Sequence, residues 1–226
     1  MTSSSWRIGQ RSSSTVNRVY DFLRRRVNER LVRFLDSACS GDGRHHGKSR
    51  TPELRVLEAG SGTAYAASLF RTRAHVAHSV CLDLDVDALR EARRRDPSLS
   101  AVVGELCRMP FRDEVFDLVF NSSTVEHIST PVSAVREMGR VCRYFGRVFV
   151  GVPYSFGPLG FEPLIRRTRA GIWLGPVFSS RKLDELLHRS GLKPLAHIRY
   201  FLWFFVGALA GKYTVETARR PLAEPI

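Results

Sequence analysis

Residues 55–64, with the sequence RVLEAGSGTA, combine residue types that let a backbone approach a ligand closely. A short apolar run, Val56–Leu57, leads to the carboxylate Glu58, and a turn containing Gly60 and Gly62 follows at once. Short runs of Val and Leu are typical of buried parallel strands, and glycines permit a sharp turn after such a strand. The stretch therefore predicts a strand, a glycine turn and a helix, the unit that holds nucleotides in open α/β sheets.

Polar groups follow three further apolar runs, and each group suits part of an adenosine-containing ligand. Asp83 closes the second run, where its carboxylate could accept hydrogen bonds from both hydroxyls of a ribose. Glu105 follows the third run and could accept from an adenine amine, while the backbone N–H of Leu106 could donate to a ring nitrogen. Asn121 ends the fourth run. Because ligands of open α/β sheets bind outside the carboxyl ends of the strands, we expect these groups and Gly60 along one edge.

The elements that must position these groups alternate between strand and helix patterns. Strands are predicted at Val56–Leu57, His78–Leu84, Ser100–Val103, Phe116–Asn121, Arg147–Val152, Leu195–Tyr200 and Trp203–Leu209. Helices are predicted at Val16–Leu35, Ala64–Arg71, Val86–Arg95, Val132–Cys142 and Leu183–His188. The last helix is expected to be capped by Ser179 or Ser180 and to end at Gly191. This alternation predicts an α/β protein with a doubly wound, mostly parallel sheet.

The chain is expected to contain one main domain with less ordered ends. Residues 1–15 are rich in serine and predict a disordered tail. Residues 16–50 predict a basic amphipathic helix and a linker, which we expect to form a lid over the ligand. Residues 51–215 would form the domain itself, and residues 216–226 a second tail.

Composition restricts the compartment and the class of protein. The first twenty residues are polar and basic, so we expect no secretory signal, and the longest apolar run is shorter than the roughly 20 residues of a membrane span. Four cysteines lie far apart without a CxxC spacing, which favours neither a zinc site nor a disulfide framework. We therefore expect a cytoplasmic protein without a transmembrane segment or a structural metal.

The formal net charge of +13 allows two interpretations. One is an anionic partner, either a nucleic acid or a membrane surface. The other is the solvated surface of an arginine-rich chain, in which 31 of the 35 basic residues are arginine. We favour the second interpretation, because net charge bears on non-specific association and not on fold.

Four ordered motifs together resemble the class I S-adenosylmethionine-dependent methyltransferases, specifically the small type-11 methyltransferase domain. The motifs are LEAGSGTA, LDLDVDAL, VGELCRMPFRDEVFDLVFNSSTVEHI and REMGRVCRYFGRVFVGVP, in family order and spacing across about residues 54–153. The third glycine of the turn is replaced by Ala64, and an aspartate more usual in the family by Glu105. The resemblance implies a seven-stranded Rossmann-like sheet with its last strand antiparallel. It also implies an enzyme that transfers a methyl group by in-line displacement to a small-molecule acceptor.

The resemblance further implies which residues would bind S-adenosylmethionine as the cofactor. It implies that the methionine end of the cofactor contacts Glu58, Gly60, Ser61, Gly62 and Asn121. The ribose would contact Asp83, and the adenine would contact Leu84, Glu105, Leu106 and Met109. All of them follow the first four predicted strands, so the cofactor would lie across the carboxyl edge of the sheet.

His127 is the candidate catalytic residue. The run Val125-Glu126-His127 resembles the Glu–His pair of ubiquinone-pathway O-methyltransferases, in which another acidic residue three positions earlier helps to hold a metal. Ser123 occupies that position here, so we expect no metal site. His127 could instead act as a general base on an acceptor hydroxyl, since an imidazole titrates near neutral pH. The alternative is a histidine that only packs at the start of a helix.

The acceptor pocket is expected to involve the N-terminal helix and residues 154–178, a long segment rich in Gly, Pro and aromatic residues. Arg166, Arg167 and Arg169 in this segment suggest an anionic or lipid-like acceptor. The sequence does not identify the acceptor, the methylated atom or the oligomeric state.

Three alternatives stay open at this stage. A nucleic-acid methyltransferase would suit the positive charge, but Ser122-Ser123 follow Asn121 in place of the Asn-Pro-Pro-Tyr pattern of amino-methylating enzymes. A non-catalytic partner subunit with a methyltransferase fold is allowed because no strong acid–base group is evident. A nicotinamide dehydrogenase is disfavoured, because Tyr65 stands where its third glycine should be.

Overall fold

The computed structural model describes residues 14–40, 53–157, 176–201 and 203–212. The strands are β1 (Leu54–Ala59), β2 (Val76–Asp83), β3 (Ser100–Val103), β4 (Phe116–Ser122), β5 (Cys142–Pro153), β6 (Leu192–Tyr200) and β7 (Phe205–Lys212). The helices are α1 (Ser14–Ser40), α2 (Tyr65–Arg71), α3 (Val86–Arg95), α4 (Pro131–Val141) and α5 (Ser180–Arg189), and a 3₁₀ turn spans Val125–His127.

The seven strands form one sheet in the order β3-β2-β1-β4-β5-β7-β6. Neighbours from β3 through β5 pair in parallel, whereas β7 runs antiparallel to both β5 and β6. The Rossmann-like, mostly parallel sheet with an antiparallel last strand is therefore confirmed. The strand order changes direction between β1 and β4, and the crevice at such a switch point is where ligands of open α/β sheets bind.

Neighbouring residues of a strand face opposite sides of this sheet, so each strand supplies two cores. Leu57 faces the side that α4 and α5 cover, where it shares a hydrophobic cluster with Val135 and Leu183. Val56 faces the other side and packs in a second cluster with Leu31 and other residues of α1 and α2. The short apolar run of β1 is continuous because both of its faces are buried.

Two glycines opposite each other allow aromatic rings to lie close to the sheet. Gly151 on β5 pairs with Gly207 on β7. A Cβ on Gly151 would stand 2.1 Å from the hydroxyl of Tyr200, and a Cβ on Gly207 would stand 2.2 Å from the ring of Phe149. The two rings therefore fill the space that side chains at these positions would occupy, and they stabilise the junction of β5, β6 and β7.

Element ends differ from the sequence predictions where hydrogen bonding continues past the apolar residues. α1 extends to Ser40, five residues beyond its predicted end, and β7 runs Phe205–Lys212 where Trp203–Leu209 was predicted. Trp203 has a left-handed backbone conformation (φ 67°), so it belongs to the turn between β6 and β7. The cap of α5 is Ser179, whose hydroxyl accepts from the N–H of Lys182, while Ser180 is inside the helix.

Several expectations concern residues outside the described ranges. These are most of the tail at 1–15, the linker at 41–52, the tail at 216–226, and the three arginines Arg166, Arg167 and Arg169. None of the helices in the described ranges combines the length and the apolar character that crossing a membrane requires.

Candidate cofactor and active site

The glycine turn after β1 folds as the sequence indicates. Gly60 and Gly62 both have positive φ (73° and 52°), and Ala64 adopts the left-handed conformation (φ 52°) just before α2. At Gly60 a side chain is excluded by contact as well as by φ, because a Cβ would stand 2.7 Å from the side chain of Thr124. Thr124 also donates its hydroxyl to the carbonyl oxygen of Gly60 at 2.9 Å. The segment after β4 is thereby packed directly on the glycine turn.

Glu58 lies at the end of β1 and is buried. Its Oε2 accepts a hydrogen bond from the backbone N–H of Ala67 at 2.7 Å, in the first turn of α2. The residue before α2 provides no side-chain cap, so Glu58 satisfies a donor that the helix start would otherwise leave free. In this arrangement Glu58 fixes the angle between β1 and α2.

Asp83 ends β2 beside this turn. Its Oδ2 accepts from the backbone N–H of Gly62 at 2.6 Å, and its Oδ1 accepts from the N–H of Asp85 at 2.8 Å. Each carboxylate oxygen keeps a second lone pair, so a ligand hydroxyl can still bond to the same group. Asp85 in turn caps α3 by accepting from the N–H groups of Asp87 and Ala88. Asp83 therefore links the glycine turn to the start of α3.

The residues assigned to adenine divide into exposed and buried groups. Leu84 is 62% exposed and Glu105 is also exposed, whereas Leu106 and Met109 are buried in the core beneath α4. Val103, at the end of β3, is a further exposed apolar residue (52%), and it pairs with Asp83 across β2 and β3. Sequence reasoning missed Val103 because nothing in an isolated valine shows which face of an edge strand it occupies.

Arg140 of α4 holds the loop that follows Glu105. Its guanidinium donates to the backbone carbonyls of Met109 and Phe111 and to the carboxylates of Asp113 and Glu137. Glu137 closes the network, because its Oε2 accepts from the N–H of Met109 at 2.9 Å. Hydrogen bonds to Arg140 hold the pKa of Glu137 below its usual value. The loop is thus anchored by a charged network, to which the sequence motifs assigned no role.

Asn121 is fully buried at the end of β4. Its Nδ2 donates to the carbonyl oxygen of Ala59, and its Oδ1 accepts from the N–H of Val125 at 3.2 Å. Both ends of the amide are thus engaged by backbone groups, so the side chain joins β1, β4 and the 3₁₀ turn. A ligand contact by Asn121 would come from its backbone.

The glycine turn also contains a hydroxyl group and an open space that a ligand could use. The Thr63 hydroxyl is buried and has no hydrogen-bond partner within the described residues. Nothing lies within 4 Å of the place where a Cβ on Gly62 would stand. A buried polar atom without a partner is costly unless a ligand or water satisfies it. Together with the Asp83 carboxylate and the exposed Leu84, these groups fit a ligand with hydroxyls, charged polar ends and a flat apolar ring.

His127 and Glu126 form a pair at the 3₁₀ turn. The His127 side chain is 37% exposed, and its Nε2 lies 3.7 Å from Oε1 of Glu126, whose side chain is only 1% exposed. Burial lowers the pKa of His127 and raises the pKa of Glu126 to about 8. At pH 7 both groups are therefore largely uncharged. Of the two, sequence reasoning assigned a chemical role only to His127.

Tyr200 and Ser122 lie beside this pair, and no sequence pattern brought them together. The Tyr200 hydroxyl, at the end of β6, lies 2.8 Å from the Ser122 hydroxyl at the end of β4. Burial raises the pKa of Tyr200, and the nearby Glu126 carboxyl raises it further. Within the described parts of the chain, no three His, Cys, Asp or Glu side chains are grouped as metal ligands would be.

Comparisons with known proteins agree with this geometry. Residues 57–150 match the family model of a methyltransferase domain. A probable S-adenosylmethionine-dependent methyltransferase of Mycobacterium tuberculosis is 36% identical over 105 residues, covering 46% of this chain and 38% of that protein. A malonyl-[acyl-carrier protein] O-methyltransferase of Laribacter hongkongensis is 30% identical over 177 residues, covering 72% of this chain and 53% of the relative.

A solved structure supports the fold over nearly the whole chain. The crystal structure of magnesium protoporphyrin IX methyltransferase from Synechocystis, with bound S-adenosylhomocysteine (SAH), superimposes with a TM-score of 0.68. It is 13% identical in sequence and covers 92% of this chain and 93% of its own. At this identity the likeness shows the fold alone.

Residues 57–150 are therefore similar to the methyltransferase domain family, and the Mycobacterium relative is named as a probable S-adenosylmethionine-dependent methyltransferase. The resemblance seen in the sequence motifs is confirmed. The chain spans about two fifths of the length of the Mycobacterium relative.

Proposed function

We propose that this protein is an enzyme that transfers the methyl group of S-adenosylmethionine to a small-molecule acceptor. The observation that carries the proposal is the grouping of the glycine turn, the Asp83 carboxylate and the unpartnered Thr63 hydroxyl at the switch point of the sheet. When bound, the cofactor supplies a methyl group that is already activated by a positively charged sulfur. The protein then has mainly to align the acceptor and exclude water.

The residues at the carboxyl edge have separable roles in this proposal. Asp83 accepts from the ribose hydroxyls, while Leu84 and Glu105 contact the adenine, with Leu106 offering its backbone N–H. Ser61 and the glycine turn receive the methionine end. Glu58 and Asn121 act by holding the turn in place, since their side chains already bond to backbone groups of α2, β1 and the 3₁₀ turn.

His127 is proposed as the general base that takes a proton from the acceptor. Its lowered pKa keeps the imidazole neutral at pH 7, which is the form that can accept a proton. Its side chain is 37% exposed, so solvent and small molecules reach part of it. If His127 only packs at the helix start, replacing it should leave the rate of methyl transfer unchanged.

The acceptor is proposed to be anionic or lipid-like. The malonyl-[acyl-carrier protein] O-methyltransferase is named for a substrate that carries a carboxylate, and this agrees with an anionic acceptor. Alanine at Arg166, Arg167 and Arg169 should weaken acceptor binding and leave cofactor affinity intact. Loss of both would contradict this assignment. We place the reaction in the cytoplasm, and we favour a small molecule over a nucleic acid.

Calorimetry with S-adenosylmethionine tests the proposed function before any acceptor is known. Wild type should bind with micromolar affinity. Asp83→Ala should bind at least about tenfold more weakly, because charge-assisted hydrogen bonds contribute about 1.5–3 kcal/mol each. Asp87→Ala is the matched control, since Asp87 is an exposed aspartate of α3 that pairs with Arg90. No binding by wild type would favour a partner subunit that needs a second protein to complete the site.

A further inference from the structure

Glu126 is a buried carboxyl for which the proposed function has no use so far. Its Oε2 is buried and has no hydrogen-bond partner among the described residues. The other oxygen, Oε1, lies 3.7 Å from Nε2 of His127. Buried ionisable groups are usually paired or hydrogen-bonded, because an isolated one is costly to keep out of water. A carboxyl left in this state therefore calls for an explanation.

Glu126 lies at the carboxyl edge of the sheet, in the 3₁₀ turn that follows β4. It follows Thr124 by two residues, and Thr124 is in contact with Gly60 of the glycine turn. Its carboxyl also raises the pKa of Tyr200 on β6. Glu126 thus belongs to the segment that packs on the glycine turn, and it is close enough to Tyr200 at the end of β6 to act on its pKa.

The electrostatic surroundings keep this carboxyl protonated at neutral pH. Burial raises the pKa of Glu126 to about 8, against a small lowering by a backbone hydrogen bond. The titratable groups that face it are His127 on its own turn and Tyr200 on β6, and both are uncharged at pH 7. Within the described residues, no cation from another element lowers the pKa of this carboxyl.

We propose that Glu126 is the final proton acceptor of the methyl transfer and that it receives the proton through His127. Before the transfer, Glu126 loses its own proton when the cationic cofactor binds. The inference rests on the proposed function. A positive charge brought to this edge of the sheet favours the ionised form of a nearby carboxyl. The Glu126 carboxylate then balances the charge of the cofactor inside a site that excludes water.

The proton balance of the transfer fits this assignment. The acceptor atom gives its lone pair to the methyl carbon, and the carbon–sulfur bond breaks with its electron pair on sulfur. The bond between the acceptor atom and its hydrogen breaks with its pair on the acceptor atom. That proton goes to the His127 imidazole, whose Nε2 proton passes to the Glu126 carboxylate. The 3.7 Å gap between the two groups is compatible with this role, because catalytic hydrogen bonds are often long before ligands bind.

The same arrangement predicts that Glu126 responds differently to S-adenosylmethionine and to S-adenosylhomocysteine. S-adenosylmethionine carries the positive sulfur, and S-adenosylhomocysteine has the same ribose, adenine and amino-acid end without it. Only S-adenosylmethionine should cause Glu126 to lose its proton. The difference in proton release between the two ligands therefore isolates the effect of the sulfur charge.

Calorimetry of both ligands at pH 7.0, in phosphate and in Tris, measures protons released on binding, because the two buffers differ widely in ionisation enthalpy. We expect wild type to release between about 0.5 and 1 more proton with S-adenosylmethionine than with S-adenosylhomocysteine. Glu126→Gln should bind both ligands with equal proton release. His127→Asn is the matched control, and it should keep the difference because the carboxyl is still present.

Wild type alone provides a second measurement, in case Glu126→Gln fails to fold. The ratio of its affinities for S-adenosylmethionine and S-adenosylhomocysteine should rise at least about fivefold from pH 6 to pH 8, as the competing proton is lost. Equal proton release by the two ligands, a release difference that persists in Glu126→Gln, or a ratio that does not change with pH would overturn the inference. Absence of S-adenosylmethionine binding to wild type would overturn the proposed function itself.

Discussion

Gly60 and Gly62 are two residues apart in one turn, but their surroundings differ. Both have positive φ, so alanine at either position adopts an unfavourable backbone conformation that costs about 1 kcal/mol. At Gly60 the new Cβ would also press on Thr124, whereas at Gly62 it would meet open space. Gly60→Ala should therefore lower the free energy of unfolding by about 2–4 kcal/mol and Gly62→Ala by about 1 kcal/mol.

Denaturant unfolding of the two variants beside wild type measures this difference. Each variant is the control for the other, because the change in backbone freedom is the same. Similar losses in both would mean that the contact between Thr124 and the glycine turn relaxes without cost. In the cofactor assay, Gly62→Ala should lose affinity even though it folds well, because its methyl group projects into the open space that we propose for the ligand.

Glu126 also predicts how stability depends on pH. Its pKa is about 8 in the folded protein and has the ordinary value of 4.5 when the chain is unfolded. Between these two values the unfolded state gives up its proton first. The stability contributed by this group is therefore complete below pH 4.5 and is lost as the pH rises toward 8, by about 1.4 kcal/mol per pH unit. Glu126→Gln removes this loss.

The measurement is the free energy of unfolding at pH 5.5 and at pH 8 for wild type and Glu126→Gln. Wild type should lose more stability than the variant between the two values. Asp87→Asn, an exposed acidic residue on α3, should follow wild type at both pH values. Parallel behaviour of wild type and Glu126→Gln would mean that Glu126 is ionised in the folded protein.

At the scale of elements, α4 stabilises the loop after β3 through one side chain. Arg140 donates to two backbone carbonyls and two carboxylates, so replacing it removes the charged donor from three half-buried acceptors and one exposed acceptor. Arg140→Met should lower the free energy of unfolding by about 2–3 kcal/mol. It should also weaken S-adenosylmethionine binding, because the loop supports Glu105 and Leu106.

Arg136→Met is the matched control on the same helix. Arg136 is exposed, and its hydrogen bond to the carbonyl of Arg189 is long at 3.3 Å. Its loss should cost no more than about 0.5 kcal/mol. If Arg140→Met were as mild as Arg136→Met, the loop would be held by the burial of Leu106 and Met109 and not by the charged network.

Elements with strong local signals could be predicted from the sequence to the residue. The structure has α3 at Val86–Arg95 and β3 at Ser100–Val103, as predicted, because Asp85 caps α3 and Gly104 directly follows β3. β7 was displaced by two residues at its start because aromatic residues normally indicate a strand, and the left-handed Phe201 and Trp203 lie in the turn instead. Backbone conformation of this kind depends on packing and not on residue type.

Residues of the candidate site could be predicted from the sequence only where they lie at the end of a strand or in the turn that follows it. Asp83 and Gly60 could be located because the strand and the turn lie next to each other in the chain. The contact between Ser122 and Tyr200 joins residues 78 positions apart, and no local pattern indicates it. The burial of Glu126 likewise depends on how the 3₁₀ turn packs against α4 and β5. The sequence motif marked this residue, but the altered pKa could be derived only from the structure.

At the scale of the whole molecule, the role of α1 depends on whether it folds together with the sheet. The sequence suggested a lid, and that assignment stays a prediction. The described part of the helix buries Leu31, Val32 and Leu35 in one cluster with Val56 of β1 and Phe149 of β5. The helix also carries Asp36, whose carboxylate lies 2.6 Å from Nε2 of His75, next to the start of β2. These contacts connect α1 to the centre of the sheet and to its amino edge.

Leu35→Ala should therefore destabilise the whole protein and not α1 alone. Removing a fully buried leucine side chain costs about 2–4 kcal/mol, and this loss should appear as a single unfolding transition shifted to lower denaturant with an unchanged slope. Arg33→Ala, on the exposed face of the same helix, should change the midpoint little. If α1 were a separately folding lid, Leu35→Ala would instead add an early transition for the helix and leave the main one in place. Far-UV circular dichroism together with tryptophan fluorescence separates the two cases, because only the first probe reports the helix directly.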